Sequence, residues 1–399
     1  MKKLIYLALI LLTFSLSTQL QAKNLNSINR IIIFGDSLSD TGKMYKKSKG
    51  WLPSSPPYHV GRFSDGPVWV DYIKETLQQD ALNLTIINEA EGGATAASYE
   101  KVSYNPTYQV INNLEYEVKQ FLENDQFQSS DLVVIWAGAN DYMTNNWRDT
   151  DQVMLAIDQT ISKALIGGAA QVLVINMPKL NIPPFSIYYD YSQSTDLEAV
   201  SIKHNQELVR LMGTRNPEKV KLYDIAGELE KMIQNAAELG FTNTDQACYT
   251  KGYIWRPFIK GKNKQYAYSE SLMQQEQYSW REGEELRKME EMNQYELQEL
   301  FEYNPNFASN PMLHDALPSR QQMYQRQRET YRLKDRSGLY SDEPKAAESI
   351  DIAGNAPDNC DGYLFWDKVH PTTAAHKVLA EKLYSFFKQQ YFSQVKQNY

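Results

Sequence analysis

The chain has 399 residues, enough for one large domain or two ordinary ones. Hydrophobic residues make up 42% and charged residues 23%, the balance of a soluble globular protein. A formal net charge of −8 and a pI of about 5.4 argue against a nucleic-acid partner.

Lys2 and Lys3 open the chain, and residues 4–16 are mostly apolar. Leu20-Gln21-Ala22 then ends in the small residue that a signal peptidase requires. Residues 1–22 therefore read as a cleaved signal peptide, which makes the mature protein secreted or periplasmic. A retained anchor is the competing reading, although the apolar run is short for a membrane span. No later stretch is apolar enough to cross a bilayer.

Five short apolar runs follow, at 30–34, 84–88, 132–137, 171–176 and 221–224. None alternates with polar residues, which is the pattern of parallel strands covered on both faces. Between them, residues 68–77, 110–122, 153–165 and 197–212 space their apolar residues by three or four, as amphipathic helices do. Strands and helices in alternation predict an open α/β sheet. Ligands of such sheets sit at the C-terminal ends of the strands.

The composition changes after Phe241. Residues 249–357 are rich in Gln, Glu, Tyr, Met, Lys and Arg and poor in β-branched residues. Within them 271–303 reads as helical, with Leu286, Met289, Met292 and Leu300 on one apolar face and Leu297 and Phe301 beside it. Residues 304–311 and 342–359 read as loops. This is a largely helical insertion in the α/β domain of residues 23–399, either a lid or lipid-docking element or an ordinary helical excursion. Cys248 and Cys360 bracket it and are the only cysteines, so an exported chain is expected to join them in one disulfide. Closing so long a loop stabilises a fold by roughly 4–5 kcal/mol on the chain-entropy model. After residues 362–366 a last helix is predicted over 372–389.

Four segments at strand ends or turns carry chemistry. Ser37 follows the first strand and a glycine, in Gly35-Asp36-Ser37-Leu38-Ser39-Asp40. A nucleophilic serine there needs a general base and donors for an oxyanion; by itself it is equally a helix cap. No Gly-x-Ser-x-Gly elbow is present, since Ser39 stands where the second glycine belongs. Asp367 precedes His370 by three residues, a spacing that can set a carboxylate on one imidazole nitrogen and leave the other for a serine. An ordinary surface turn has the same spacing. Asn140, in Gly138-Ala139-Asn140-Asp141, and the pair Gly92-Gly93 follow two other strands. An amide and a glycine N–H there can face a developing oxyanion, or simply form turns. Of the five histidines, His376 falls inside the last helix and reads as structural. No metal-binding spacing is evident, and no cofactor is expected.

Together, and in their order along the chain (Gly35–Leu38, Gly92-Gly93, Gly138–Asp141, Asp367–His370), the four segments resemble the blocks of the GDSL, or SGNH, hydrolases. The resemblance runs from about Ile31 to the last helix, with 249–357 divergent. It implies a three-layer α/β/α sandwich with a central, mostly parallel five-stranded sheet. It also implies Ser37 as nucleophile, His370 as base and Asp367 as its orienter. The oxyanion hole would comprise the N–H groups of Ser37 and Gly93 and the amide of Asn140, with Gly93 preferred to Gly92 on its spacing from Asn88. Gly61-Arg62-Phe63-Ser64-Asp65-Gly66, with Trp69 and Asp71, is similar to the branch of secreted bacterial phospholipases A and glycerophospholipid:cholesterol acyltransferases. That branch implies a phospholipid or lysophospholipid substrate, a sterol such as cholesterol as acyl acceptor, work at a host or bacterial membrane surface, and activation by a protease that cuts a disulfide-bracketed loop. The competing readings are a GDSL esterase for carbohydrate acetyl or small aryl esters, and a non-catalytic binding protein that kept the fold.

Overall fold

A computed structural model describes residues 28–98, 111–144, 147–185, 191–253 and 355–392, with side chains from residue 194 in the fourth segment. The expected signal peptide, the helix expected over 271–303 and most of the bracketed insertion lie outside the described residues.

Five strands form one parallel sheet: β1 (Arg30–Gly35), β2 (Thr85–Asn88), β3 (Asp131–Trp136), β4 (Gln171–Ile175) and β5 (Val220–Tyr223), in the spatial order β2-β1-β3-β4-β5. Each matches an apolar run of the sequence to within a residue or two. The pleat then divides the runs between two cores. Ile31, Ile33, Leu132, Val134, Leu173 and Ile175 pack on one face, with helices α2 (Trp69–Gln79), α7 (Ile225–Gln234) and α8 (Thr373–Gln390). Ile32, Phe34, Val133, Ile135, Val172 and Val174 pack on the other, with α3 (Leu114–Asn124), α5 (Asp151–Ile166) and α6 (Tyr191–Gly213). This is the expected three-layer α/β/α sandwich, and the double burial is why the strands lack polar alternation. Short helices α1 (Lys43–Lys47) and α4 (Ala139–Met143) follow β1 and β3.

Local chemistry sets the element ends. The Asn113 side chain accepts the Tyr116 N–H to start α3, Asp224 accepts the Gly227 N–H to start α7, and Thr372 accepts the Ala375 N–H to start α8. At the head of the sheet Arg30 donates from Nε and Nη2 to the two carboxylate oxygens of buried Asp131, each at 2.8 Å. This bidentate pair aligns the starts of β1 and β3. Gly35 ends β1 because a Cβ there would meet the Trp136 carbonyl oxygen at 2.3 Å.

Two further strands, β6 (Asn243–Ala247) and β7 (Tyr363–Phe365), pair in parallel apart from the main sheet. β6 has no apolar stripe and was not legible as a strand. It leads into Cys248, and β7 follows Cys360, which is joined to Cys248 with a Cα–Cα distance of 5.7 Å. The expected disulfide is formed, and the stems of the bracketed segment are held together twice. Helix α7 lies outside the helices predicted from sequence, although Ile225, Leu229 and Met232 carry a helical stripe.

Candidate active site

In the order β2-β1-β3 the chain leaves β1 toward one side and returns to the other, so the loops after these three strands meet at one end of the sheet. The loop after β1 is a tight turn in which the N–H groups of Ser39 and Asp40 both donate to the Asp36 carbonyl, each at 3.0 Å. Ser37 stands in its first half, nearly buried, and its own N–H donates to no described residue. Asp40 is fully buried and accepts four backbone N–H groups, from Gly42, Lys43, Met44 and, across to the next loop, Gly92.

His370 reaches Ser37 from the other end of the chain. Asp367 Oδ1 accepts the N–H groups of Val369 and His370, at 2.7 and 2.8 Å, and so closes the turn that puts the carboxylate and the imidazole on one side. His370 Nδ1 donates to Asp367 Oδ2 at 2.8 Å, and His370 Nε2 lies 2.7 Å from Ser37 Oγ. With Nδ1 protonated by this contact, Nε2 is the acceptor for the serine hydroxyl. Asp367 and His370 are 2% and 5% exposed, which excludes the surface-turn reading. Burial works against a charge on Asp367, yet His370 and the two N–H donors hold it below the usual carboxylate range.

The loop after β2 carries the glycine pair. Gly92 donates its N–H to Asp40 Oδ2 at 2.8 Å, so that group is committed. Gly93 lies at φ +81°, open to glycine, and its N–H donates to no described residue. Asn140 donates one amide hydrogen to the Ala94 carbonyl at 3.0 Å, which ties the loop after β3 to the glycine loop. Buried Asp141 adds a second tie by accepting the N–H groups of Ala96 and Ala97, at 2.8 and 3.0 Å. The structure thus brings all the sequence-predicted site residues to one end of the sheet. His376 is buried in α8, where desolvation drives its pKa down to about 3.

Several organising residues escaped sequence reasoning. Glu117 is fully buried on α3 and accepts the Gly35 N–H at 2.9 Å and the Glu91 N–H at 3.1 Å. It braces the backbone two residues ahead of both Ser37 and Gly93. Its signal was an acid inside the apolar stripe of Leu114, Val118 and Phe121. Asn88 donates to the Ser39 carbonyl at 2.7 Å, and Tyr58 donates to Asp367 Oδ2 at 2.8 Å. Asp36 is buried beside this group, and desolvation pushes it up to about 7.

The family model for GDSL-like lipases/acylhydrolases matches residues 31–383. The chain is 38% identical to a phosphatidylcholine-sterol acyltransferase of Aeromonas hydrophila over 373 residues, 92% of each chain. It is 31% identical to the secreted effector protein SseJ of Salmonella typhimurium over 245 residues, 59% of this chain and 56% of that one. It is 25% identical to the thermolabile hemolysin of Vibrio parahaemolyticus over 228 residues, 56% of this chain and 52% of that one.

Gln in place of Glu117 can accept only one of the two backbone N–H groups and turns its own NH₂ toward the other. Glu117→Gln is expected to lose about 1–3 kcal/mol in urea unfolding. The half-exposed control on the same helix, Glu115→Gln, should stay within about 0.5 kcal/mol. Because folding raises Asp36 from 3.8 to about 7, the folded state holds its proton where the unfolded chain has lost it. This group's contribution to stability therefore falls as pH rises through that window. Asp36→Asn cannot ionise, so its Tm should drop less between about pH 5 and pH 8 than that of the parent. Equal slopes would refute the assignment.

Proposed function

Because the chain belongs to the GDSL-like lipase/acylhydrolase family, we propose that it is an exported phospholipase A and lysophospholipase that works through an acyl-Ser37 intermediate and passes the acyl group to water or to a sterol. The observation that carries this reading is the buried relay from Asp367 through His370 to Ser37, with contacts of 2.8 and 2.7 Å.

Ser37 Oγ attacks the ester carbonyl as His370 Nε2 takes its proton. The imidazolium keeps its Nδ1–H on Asp367. The N–H groups of Ser37 and Gly93 and the free amide hydrogen of Asn140 receive the oxyanion. His370 returns the proton to the leaving lysophospholipid oxygen, and the acyl group stays on Ser37. In the second half His370 deprotonates water or a sterol hydroxyl, whose oxygen attacks the acyl-enzyme. Fatty acid or sterol ester leaves and Ser37 regains its proton. Exclusion of water from the site sets the balance between the two acceptors.

The close relative named phosphatidylcholine-sterol acyltransferase, similar over 92% of this chain, favours phospholipid and sterol. Export rests on the basic start, apolar run and small-residue end of residues 1–22. No helix among the described residues is long and apolar enough to cross a membrane. Activation by a protease belongs to the same reading, because a cut between Cys248 and Cys360 leaves the two parts joined by the disulfide.

The test is product analysis on phosphatidylcholine vesicles with and without cholesterol, before and after limited proteolysis. Fatty acid and lysophospholipid are expected, with cholesteryl ester when cholesterol is present and a higher rate after nicking. Ser37→Ala should abolish turnover by roughly 10⁴- to 10⁶-fold while the protein stays folded. Turnover confined to acetyl or aryl esters would replace the lipid reading with the small-ester one.

A further inference from the structure

Asp367 accepts its hydrogen bonds from two residues of its own turn and from one donor outside it. Oδ1 takes the N–H groups of Val369 and His370, and Oδ2 takes His370 Nδ1 together with the Tyr58 hydroxyl at 2.8 Å. Tyr58 stands 309 residues away in sequence, on the loop between α1 and α2. We infer that Tyr58 is a positioning residue for the reaction, holding the Asp367 carboxylate against His370 and setting how much of its charge the imidazole feels.

The ring is fixed on several sides, so the hydroxyl has one direction to point. It is 2% exposed and meets Tyr249 and Trp366 edge-on at 5.6 and 5.8 Å, with Tyr253 at 5.7 Å. Tyr249 stacks in turn on Trp366 at 5.1 Å and follows the disulfide-bonded Cys248. Burial, and then the charge of Asp367, push the phenol well above its ordinary range, so it remains a proton donor. A donor so placed locks the carboxylate without adding charge, as outer partners do for metal-bound histidines. It also neutralises part of the negative field that the carboxylate projects onto the imidazole ring.

This proposal rests on the reading of Ser37, His370 and Asp367 as the reacting group, and the experiment separates the two. Tyr58→Phe keeps the ring and removes only the hydroxyl. Its kcat is expected to fall about 3- to 10-fold with KM unchanged, because Tyr58 acts through Asp367 alone. The acid limb of kcat/KM should move up by about half a pH unit, since a less compensated carboxylate favours the imidazolium. Among the described residues, Asp36 and His376 interact electrostatically with His370, and Tyr249 and Tyr253 with Tyr58, and all four are the same in parent and variant. Replacing Tyr58 with 3-fluorotyrosine strengthens the donor without changing the packing and should move the limb down. This arm stands if the Phe variant fails to fold. A fall in kcat with no shift of the limb would make Tyr58 a packing residue and overturn the proposal, as would kinetics equal to the parent. Turnover retained in Ser37→Ala would instead overturn the underlying reading, whatever Tyr58 does.

Discussion

β1 is hydrogen-bonded along both edges, to β2 on one side and β3 on the other, and the site depends on that central position. A parallel sheet sends every strand end the same way. A strand paired on both sides therefore brings three loops to one place. The register Gly35↔Trp136 sets the β1 and β3 loops level, and the Glu91 N–H donates to the Gly35 carbonyl at 3.0 Å to bring the β2 loop alongside. Arg30 and Asp131 fix the same register from the opposite end of the strands. The steric demand at Gly35 is the cost of this closeness, since no side chain fits between the two strand ends.

Buried carboxylates do the finer positioning. Asp40, Glu117, Asp141 and Asp367 each accept two or more backbone N–H groups, and each ties together pieces of chain that the sheet has only brought near. Removing a carboxylate from water is unfavourable, and N–H donors aimed at it offset that loss. The balance differs from site to site. Asp367, facing His370, stays below the usual carboxylate range, whereas burial, helped by the acidic neighbours Glu91 and Asp36, outweighs the backbone donors and the nearby Lys43 charge and pushes Glu117 well above it. These acids also select which N–H groups remain. Gly92 is taken by Asp40, and Gly93 is not.

The disulfide and the aromatic cluster connect this site to the rest of the chain. β6 and β7 carry the two cysteines to within bonding distance, and Tyr249, Trp366 and Tyr58 pack beside them as a small core of their own. Tyr58 and Tyr253 then touch Asp367 and His370. His370 and Asp367 therefore rest on the stems of the bracketed segment, while Ser37 rests on the main sheet.

Sequence by itself determined the fold class, the five strands, most of the helices and the residues of the candidate site. Its signals are local: an apolar run such as Ile31-Ile32-Ile33 can be read without its neighbours, and so can a motif such as Asp367-Lys368-Val369-His370. What it left undecided were partnerships across long separations. Spacing from Asn88 favours Gly93 over Gly92, but only the fold gives the reason, which is that Asp40 accepts the Gly92 N–H. Glu117 reads as an oddity in an apolar stripe until Gly35 and Glu91 are placed against it. Tyr58 carries no signal at all, because a hydrogen bond across 309 residues leaves no periodicity or spacing. Strand order decided these pairings, and strand order is a property of the folded sheet, since any of the five runs could pair with any other by the same backbone hydrogen bonds.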